Sequence, residues 1–275
     1  MNKLFVAQVW LAGSFWLMCG VGAQAETLHV KDLDVSEVRV FGSVEVEISQ
    51  GDERELFVRG PQKALEKEPF YVRGNTLFLG DSASYPNQSF ADVKYKLTLP
   101  DLTDLRLAGS GDVFLKPMAV HELGIHVDGS GDVKAFSVTA QSLVLRIAGS
   151  GDIQVADVNA PTIEMLVSGS GDIALGKTET EVVESTITGS GDISIEKGLV
   201  TADSIDLRIV GGGSIDLSAL SALKADISLI GSGDAAVGEV EFLDVAIIGS
   251  GDIFYSGDPK IDSSILGSGD LNRRR

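Results

Sequence analysis

The chain has 275 residues, of which 40 are acidic and 22 basic, giving a formal net charge of −18, and it contains one cysteine. That charge balance argues against a surface built for nucleic acid or bare anionic membrane and suits cations, basic partners or neutral glycans. A single cysteine excludes a disulfide framework, so stability must come from packing and backbone pairing.

In chain order, Lys3 gives a short basic start, Leu4 to Gly22 is an apolar run, and Ala23-Gln24-Ala25 comes next. This is the pattern of a secretory signal peptide over residues 1–25, with cleavage expected before Glu26. A retained membrane anchor is the alternative, opposed by Gln8, the glycines and the small-residue cleavage site. Cleavage removes Cys19 and both tryptophans, Trp10 and Trp16. No second membrane segment is expected in the mature chain.

Residues 26–100 read as irregular β coils. Val38-Arg39-Val40 leads into Gly42-Ser43 and then Val44, Val46 and Ile48, a degenerate first coil. Phe70 to Arg73 and Thr76 to Leu79 flank Gly74-Asn75, a hairpin signal. Asp81 to Asp92 reads as a polar loop, and Tyr95 to Leu99 as a strand ended by Pro100. These coils are expected to belong to the same solenoid as the remainder of the chain. A separate small β domain is the alternative.

Residues 101–272 carry a repeat. Gly-Ser-Gly-Asp begins at Gly109, Gly129, Gly149, Gly169, Gly189, Gly231, Gly249 and Gly267, and a decayed copy, Gly211-Gly212-Gly213-Ser214, fills the gap. The steps are 20, 20, 20, 20, 22, 20, 18 and 18 residues. A fixed period of this size signals a stacked architecture. Apolar residues alternate on both sides of each tetrapeptide, as in Leu143, Leu145 and Ile147 before Gly149, and Ile153 and Val155 after it. Period-2 alternation means strands with one buried face. Both glycines then fall on the inward side of a sharp corner, and Ser and Asp point out. The stretches from Lys116 to Glu122, Ala156 to Ala160, Gly176 to Glu181 and Ser256 to Lys260 read as polar returns. The fold expected is all-β, a right-handed parallel β-helix of about 20 residues per coil. An antiparallel sandwich would not need the same corner in every repeat. Residues 273–275, Arg273-Arg274-Arg275, read as a basic tail that blocks end-to-end stacking.

The series Val40-Phe41-Gly42, Val44 to Gly51, Thr76-Leu77-Phe78-Leu79, Leu97-Thr98-Leu99-Pro100 and Leu105 to Asp112 resembles the bacterial family called putative auto-transporter adhesin, head GIN domain. The resemblance covers nearly all of the mature chain. It implies an exported right-handed β-helix and supplies no catalytic residues to carry over. The repeats run close to Arg275, so no C-terminal translocator barrel, with its many strands and aromatic girdles, is expected, and self-export is not expected either.

The one site-like feature is a column of carboxylates, Asp112, Asp132, Asp152, Asp172, Asp192, Asp234, Asp252 and Asp270. Carboxylates stacked about 4.8 Å apart repel. They must splay into water, accept backbone N–H groups as Asp does in turns, or hold cations. The backbone role is expected, with weak cation binding as the alternative. The histidines His29, His121 and His126 lack the spacing of a helical zinc pair and read as surface residues. No nucleophile elbow or phosphate-binding loop occurs. β-Helices in other families cleave acidic polysaccharides, which makes Arg146, Arg208, Lys116 and Lys134 candidate groove residues beside the Asp column. Interstrand charge pairing is the simpler role.

The expected protein is therefore not an enzyme and has no catalytic, cofactor-binding or metal residue. It is an exported binding, adhesion-like or structural module of the periplasm or cell surface, contacting a glycan or an envelope protein across a long face. A polysaccharide-cleaving enzyme and a self-assembling β-helical protein are the alternatives. No nucleic acid partner is expected, and the oligomeric state is open.

Overall fold

The computed structural model describes residues 25–85 and 88–274. The expected leader over 1–25 therefore lies, apart from Ala25, outside the described residues. The chain is nearly all β, with 67% strand and 2% helix, wound into a parallel β-solenoid of about 8 turns with about 20 residues per coil.

Two sheets face each other across the core. The front sheet is built from the strands before each Gly-Ser-Gly-Asp corner, among them Glu122–Gly129, Ser142–Gly149, Thr162–Gly169 and Val182–Gly189. The back sheet takes the strands after it, such as Asp132–Thr139, Ile153–Asn159, Ile173–Glu179 and Asp192–Gly198. Pairing is parallel and in register, so Gly129 lies over Gly149, Gly149 over Gly169 and Gly169 over Gly189. The alternating apolar residues point between the sheets: Leu143, Leu145, Ile153 and Val155 are buried, each beside its counterparts one coil away. Each such side chain removed from water contributes roughly 1.5–3 kcal/mol.

The corner explains the glycines. At Gly149 the backbone has φ +145°, and a Cβ there would lie 2.2 Å from the carbonyl oxygen of Gly129. At Gly151 it would lie 2.0 Å from the carbonyl oxygen of Gly131. The obstacle is the main chain of the preceding coil. Of the two glycines, only the second is fully buried; the first is half-buried. The corner is thus held by backbone stacking at both glycines, and the inward placement expected for both holds only for the second.

The returns are shorter and less polar than the sequence implies. The strand Asp132–Thr139 runs past the bend at Phe136, and Val138 and Ala140 face the core. Val158 and Ala160, and Thr178 and Thr180, do the same one and two coils later. Buried Thr180 is satisfied by donating to the Pro161 and Val182 carbonyls at 3.3 and 3.2 Å. The turn proper is only a few residues, because one inward residue on either side of it lets both sheets close over the core.

At the N-terminal end, order in space departs from order in the chain. Glu37–Gly42 and Glu45–Gln50 form a coil directly beneath Asp104–Gly109 and Asp112–Leu115. The intervening segment doubles back to the outer side of that coil. There Thr76–Leu79 pairs in parallel with Glu37–Gly42, and Lys94–Leu99 with Glu45–Gln50. Phe70–Arg73 closes the front sheet as an antiparallel hairpin strand about Gly74-Asn75. Glu55–Pro61 and Ala25–Lys31 close the back sheet, also antiparallel. Buried Leu56, Val58, Phe90 and Val93 cover the core at this end.

The other end is open. Lys260–Gly267 pairs on one side only among the described residues, and all eight of its residues are exposed. Ile261 and Ile265 hold inward positions yet remain 42% and 43% exposed. The expected basic tail is partly structured: Arg273 ends the strand Leu271–Arg273 and pairs with Asp258 at 3.4 Å, and Arg274 lies 4.3 Å from the Phe254 ring centre.

The packing sets the outcome of two substitutions. Gly151→Ala puts a methyl against a carbonyl that belongs to the stack itself, and should lower unfolding free energy by about 3 kcal/mol; a urea midpoint equal to wild type would contradict the corner geometry. Ser185 sits inward between Met165 and Leu207 with its hydroxyl buried and without a hydrogen-bond partner among the described residues. Ser185→Ala should therefore raise stability by about 1 kcal/mol, and a fall of that size would show that the hydroxyl has a partner in solution.

Candidate functional site

The Asp column takes the backbone route. Asp132 Oδ1 accepts the N–H of Asp152 at 3.1 Å, Asp152 Oδ1 that of Asp172 at 3.0 Å, and Asp172 Oδ1 that of Asp192 at 2.8 Å. Asp234, Asp252 and Asp270 continue in the same way after the decayed repeat. At that repeat, Ser214 donates both its N–H and its hydroxyl to Asp192 Oδ1, at 2.9 and 2.7 Å. Six carboxylates, those of Asp132, Asp152, Asp172, Asp192, Asp234 and Asp252, thus satisfy a donor at the bend of the next coil. At Asp112 the Asp132 N–H goes instead to the Gly111 carbonyl at 3.2 Å, and Asp270 is the last rung. Negative charge accepting N–H is a strong form of hydrogen bond, which offsets repulsion between rungs. Among the described residues, no group of three or more His, Cys, Asp or Glu side chains is disposed to hold a metal ion.

The basic groove candidates do not meet. Arg146 and Arg208 stand on the front sheet, three residues before their corners. Lys134 stands on the back sheet, and Lys116 pairs there with Glu47 at 3.5 Å and lies over the Phe136 ring. The core separates the two sets. Arg146 pairs with Glu164 of the next coil at 2.8 Å, the interstrand role. His126 is half-buried, 3.1 Å from Asp104, and burial lowers its imidazole below the usual pKa. His29 stacks on Phe57 and pairs with Glu55 at 2.8 Å.

The outer face of the front sheet carries two further columns that sequence reasoning missed. Five residues before each corner stand Glu164, Glu184, Asp206, Asp226, Asp244 and Asp262, brought side by side by the register. One residue before the corner stand Val210, Ile230, Ile248 and Leu266, equally in register. Ile230 is 38% exposed, Ile248 52% and Leu266 71%. The signal is present as the recurring pattern Asp-x-x-x-Ile/Leu-Gly-Ser-Gly-Asp, as in Asp226 to Asp234 and Asp244 to Asp252. It is masked by the stronger corner motif that ends it. In the N-terminal coils the same columns hold Asp104, Gly124 and Val144, and Ala108, Asp128 and Ala148. There, charges are paired across strands, Arg106 with Asp128 and His126 with Asp104.

The role of the corner column is testable by separating the acceptor from the charge. Asp172→Ala leaves the Asp192 N–H without its acceptor and should cost about 1 kcal/mol. Asp172→Asn keeps an oxygen in place and should lose less than half of that in urea titration. Equal losses would assign the effect to charge alone.

No curated protein matches the chain. Solved structures do. A crystal structure from Parabacteroides distasonis described as a putative lipid binding protein is 28% identical, with 91% of this chain and 97% of that chain covered and a TM-score of 0.64. A putative adhesin from Parabacteroides merdae is 17% identical, covering 92% and 97% with a TM-score of 0.70. One from Bacteroides fragilis is 23% identical, covering 92% and 98% with a TM-score of 0.62. The last two share the fold. The sequence profile of the family described as putative auto-transporter adhesin, head GIN domain, matches residues 34–199 and 158–259. With the repeat, the corner geometry and the profile in agreement, the chain belongs to that family.

Proposed function

We propose that this chain is an exported, non-catalytic binding module of the cell envelope, in the periplasm or at the cell surface, and that its long sheet face takes up a glycan or an envelope protein. The observation that carries this reading is the outer face of the front sheet. Its side chains stand in columns one coil apart along the stack, instead of converging on one point. Solenoids use such extended surfaces for recognition. Lipid binding and adhesion in the descriptions of similar solved proteins support binding over catalysis. A polysaccharide-cleaving role is disfavoured because Arg146 and Arg208 stand on a different sheet from Lys116 and Lys134. Within this reading, residues 1–25 are the export leader and 26–272 one binding unit. No helix among the described residues is long and apolar enough to cross a membrane.

The test is capture of solubilised envelope fractions on the immobilised protein, alongside protease shaving of intact and outer-membrane-permeabilised cells. Retention of a specific glycan or envelope protein is expected. Recovery of nothing beyond what an unrelated acidic β-helix retains would overturn the binding role. Cleavage in intact cells would place the module on the surface, and protection until permeabilisation would place it in the periplasm. A cytoplasmic location after fractionation would overturn export.

A further inference from the structure

From the outer face of the last four front-sheet strands, we infer a docking surface for a cationic amphipathic polypeptide segment. This rests on the binding-module reading and names one part of the face and one partner chemistry.

Val210, Ile230, Ile248 and Leu266 form a continuous aliphatic ladder on a solvent face. Branched apolar side chains on an outward column do nothing for the core. Their exposure rises toward the open end, from half-buried Val210 to Leu266 at 71%. Exposed apolar residues in a contiguous stripe mark interaction surfaces.

The stripe is bracketed by acid on both sides. Four residues before Ile230, Ile248 and Leu266 stand Asp226, Asp244 and Asp262; four residues after stand Asp234, Asp252 and Asp270. On the flat strand the first set lies about 13 Å from the stripe. The second set lies just around the corner. Asp206, Asp244 and Asp262 make no ion pair among the described residues, and Lys224, which pairs with Asp226 at 2.8 Å, has its pKa raised by Asp226, with Asp244 and Asp206 contributing. The complementary surface is a narrow apolar stripe flanked by Lys or Arg on both edges.

An amphipathic helix presents that pattern at a suitable pitch. Its apolar positions recur about every 5.4 Å along the axis, and the rungs here recur about every 4.8 Å. Over four rungs the mismatch accumulates to about 2 Å, which flexible side chains absorb. A helix of about 10–12 Å diameter fits between the two acid columns with its basic flanks over them. Anionic lipid is disfavoured by the same carboxylates. A glycan would call for stacking aromatics; the ladder itself is aliphatic, and exposed Phe242 on the same strands has Lys260 over its ring at 5.0 Å.

The probe is a fluorescently labelled Leu/Lys helical peptide of about 14 residues, four turns, with one leucine stripe flanked by lysines. Its anisotropy is titrated with the full mature chain at low and at physiological salt. A scrambled peptide of the same composition is the control. Micromolar binding is expected, weakening with salt, with at least tenfold loss for the scrambled peptide. Ile230→Ser/Ile248→Ser should weaken binding at least tenfold, and Asp226→Asn/Asp244→Asn should weaken it and flatten the salt dependence. All four positions face outward, and circular dichroism with thermal melts checks that the variants fold. Ile248→Ser/Leu266→Ser is the second variant should the first melt early. Equal binding by the scrambled peptide, or unchanged affinity in the serine variants, would overturn the inference. So would light scattering showing a wild-type dimer that Leu266→Ser dissociates, because the occupant would then be a second copy. Envelope capture that survives in the serine variants while the peptide fails to bind removes only this inference and leaves the binding-module reading standing.

Discussion

The whole stack depends on main chain lying against main chain at one corner per coil. The distance from a hypothetical Cβ to the carbonyl below is close to 2 Å at both glycines of nearly every corner. No side chain larger than hydrogen fits there without separating the coils. With the corner fixed, the register of both sheets is fixed, and with it the inward or outward facing of every strand residue. Changes in repeat length are pushed to the far side of the coil. The 22-residue step adds residues at the turn around Leu199 and Val200, both exposed. The shortened coil after Gly231 runs from back to front sheet as one strand, Ala235–Gly249, and takes up the change between Val237, the partner of Leu217, and Val240, the partner of Ala222. The corners themselves stay in register throughout.

A stack held this way must stop somewhere, and its two ends stop differently. At the N-terminal end, the chain folds back over its own first coil and finishes both sheets with antiparallel strands. An antiparallel neighbour breaks the pattern by which another parallel coil could add. At the other end, the last strand presents its free edge together with Ile261 and Ile265. Free edges invite pairing. The charges near this one, Lys260, Asp262, Arg273 and Arg274, disfavour a close approach by an identical end. Head-to-tail addition would set that edge against an antiparallel strand in place of a matching parallel coil.

Much of this architecture is legible from the residues, and the rest is hidden for identifiable reasons. Alternation around each tetrapeptide gives the strands, the period gives the stacking, and Gly74-Asn75 gives its hairpin. The reversal of coil order at Thr76–Leu79 is not legible. Its corner lies at Gly80 without the tetrapeptide, and strand order is set by which edge is free when the segment arrives, something no local pattern encodes. The length of the returns is obscured because Val138, Val158 and Thr178 sit beyond a bend, at Phe136, Ala156 and Gly176, that breaks strict alternation. The Asp column is legible as a candidate for backbone hydrogen bonding. The acidic and aliphatic columns before the corners are in plain sight, but become meaningful only once the register places them side by side.

That last point separates fold from function in this chain. Inward columns are constrained by packing, and the corner columns by the backbone. The outward columns are free of both constraints, and along the front sheet they change character partway. In the earlier coils, Arg106, His126 and Arg146 meet carboxylates, and the face is charge-balanced. From Glu184 onward, carboxylates succeed one another with Lys224 as the one ion-paired cation of that face among the described residues, and the neighbouring column turns aliphatic at Val210. Like charges side by side are unfavourable in a sheet, and so is aliphatic surface left in water. The same coils carry both, in fixed relative position, over successive repeats whose other outward residues vary. Neither feature aids the solenoid, so the cause must be sought in what the face meets.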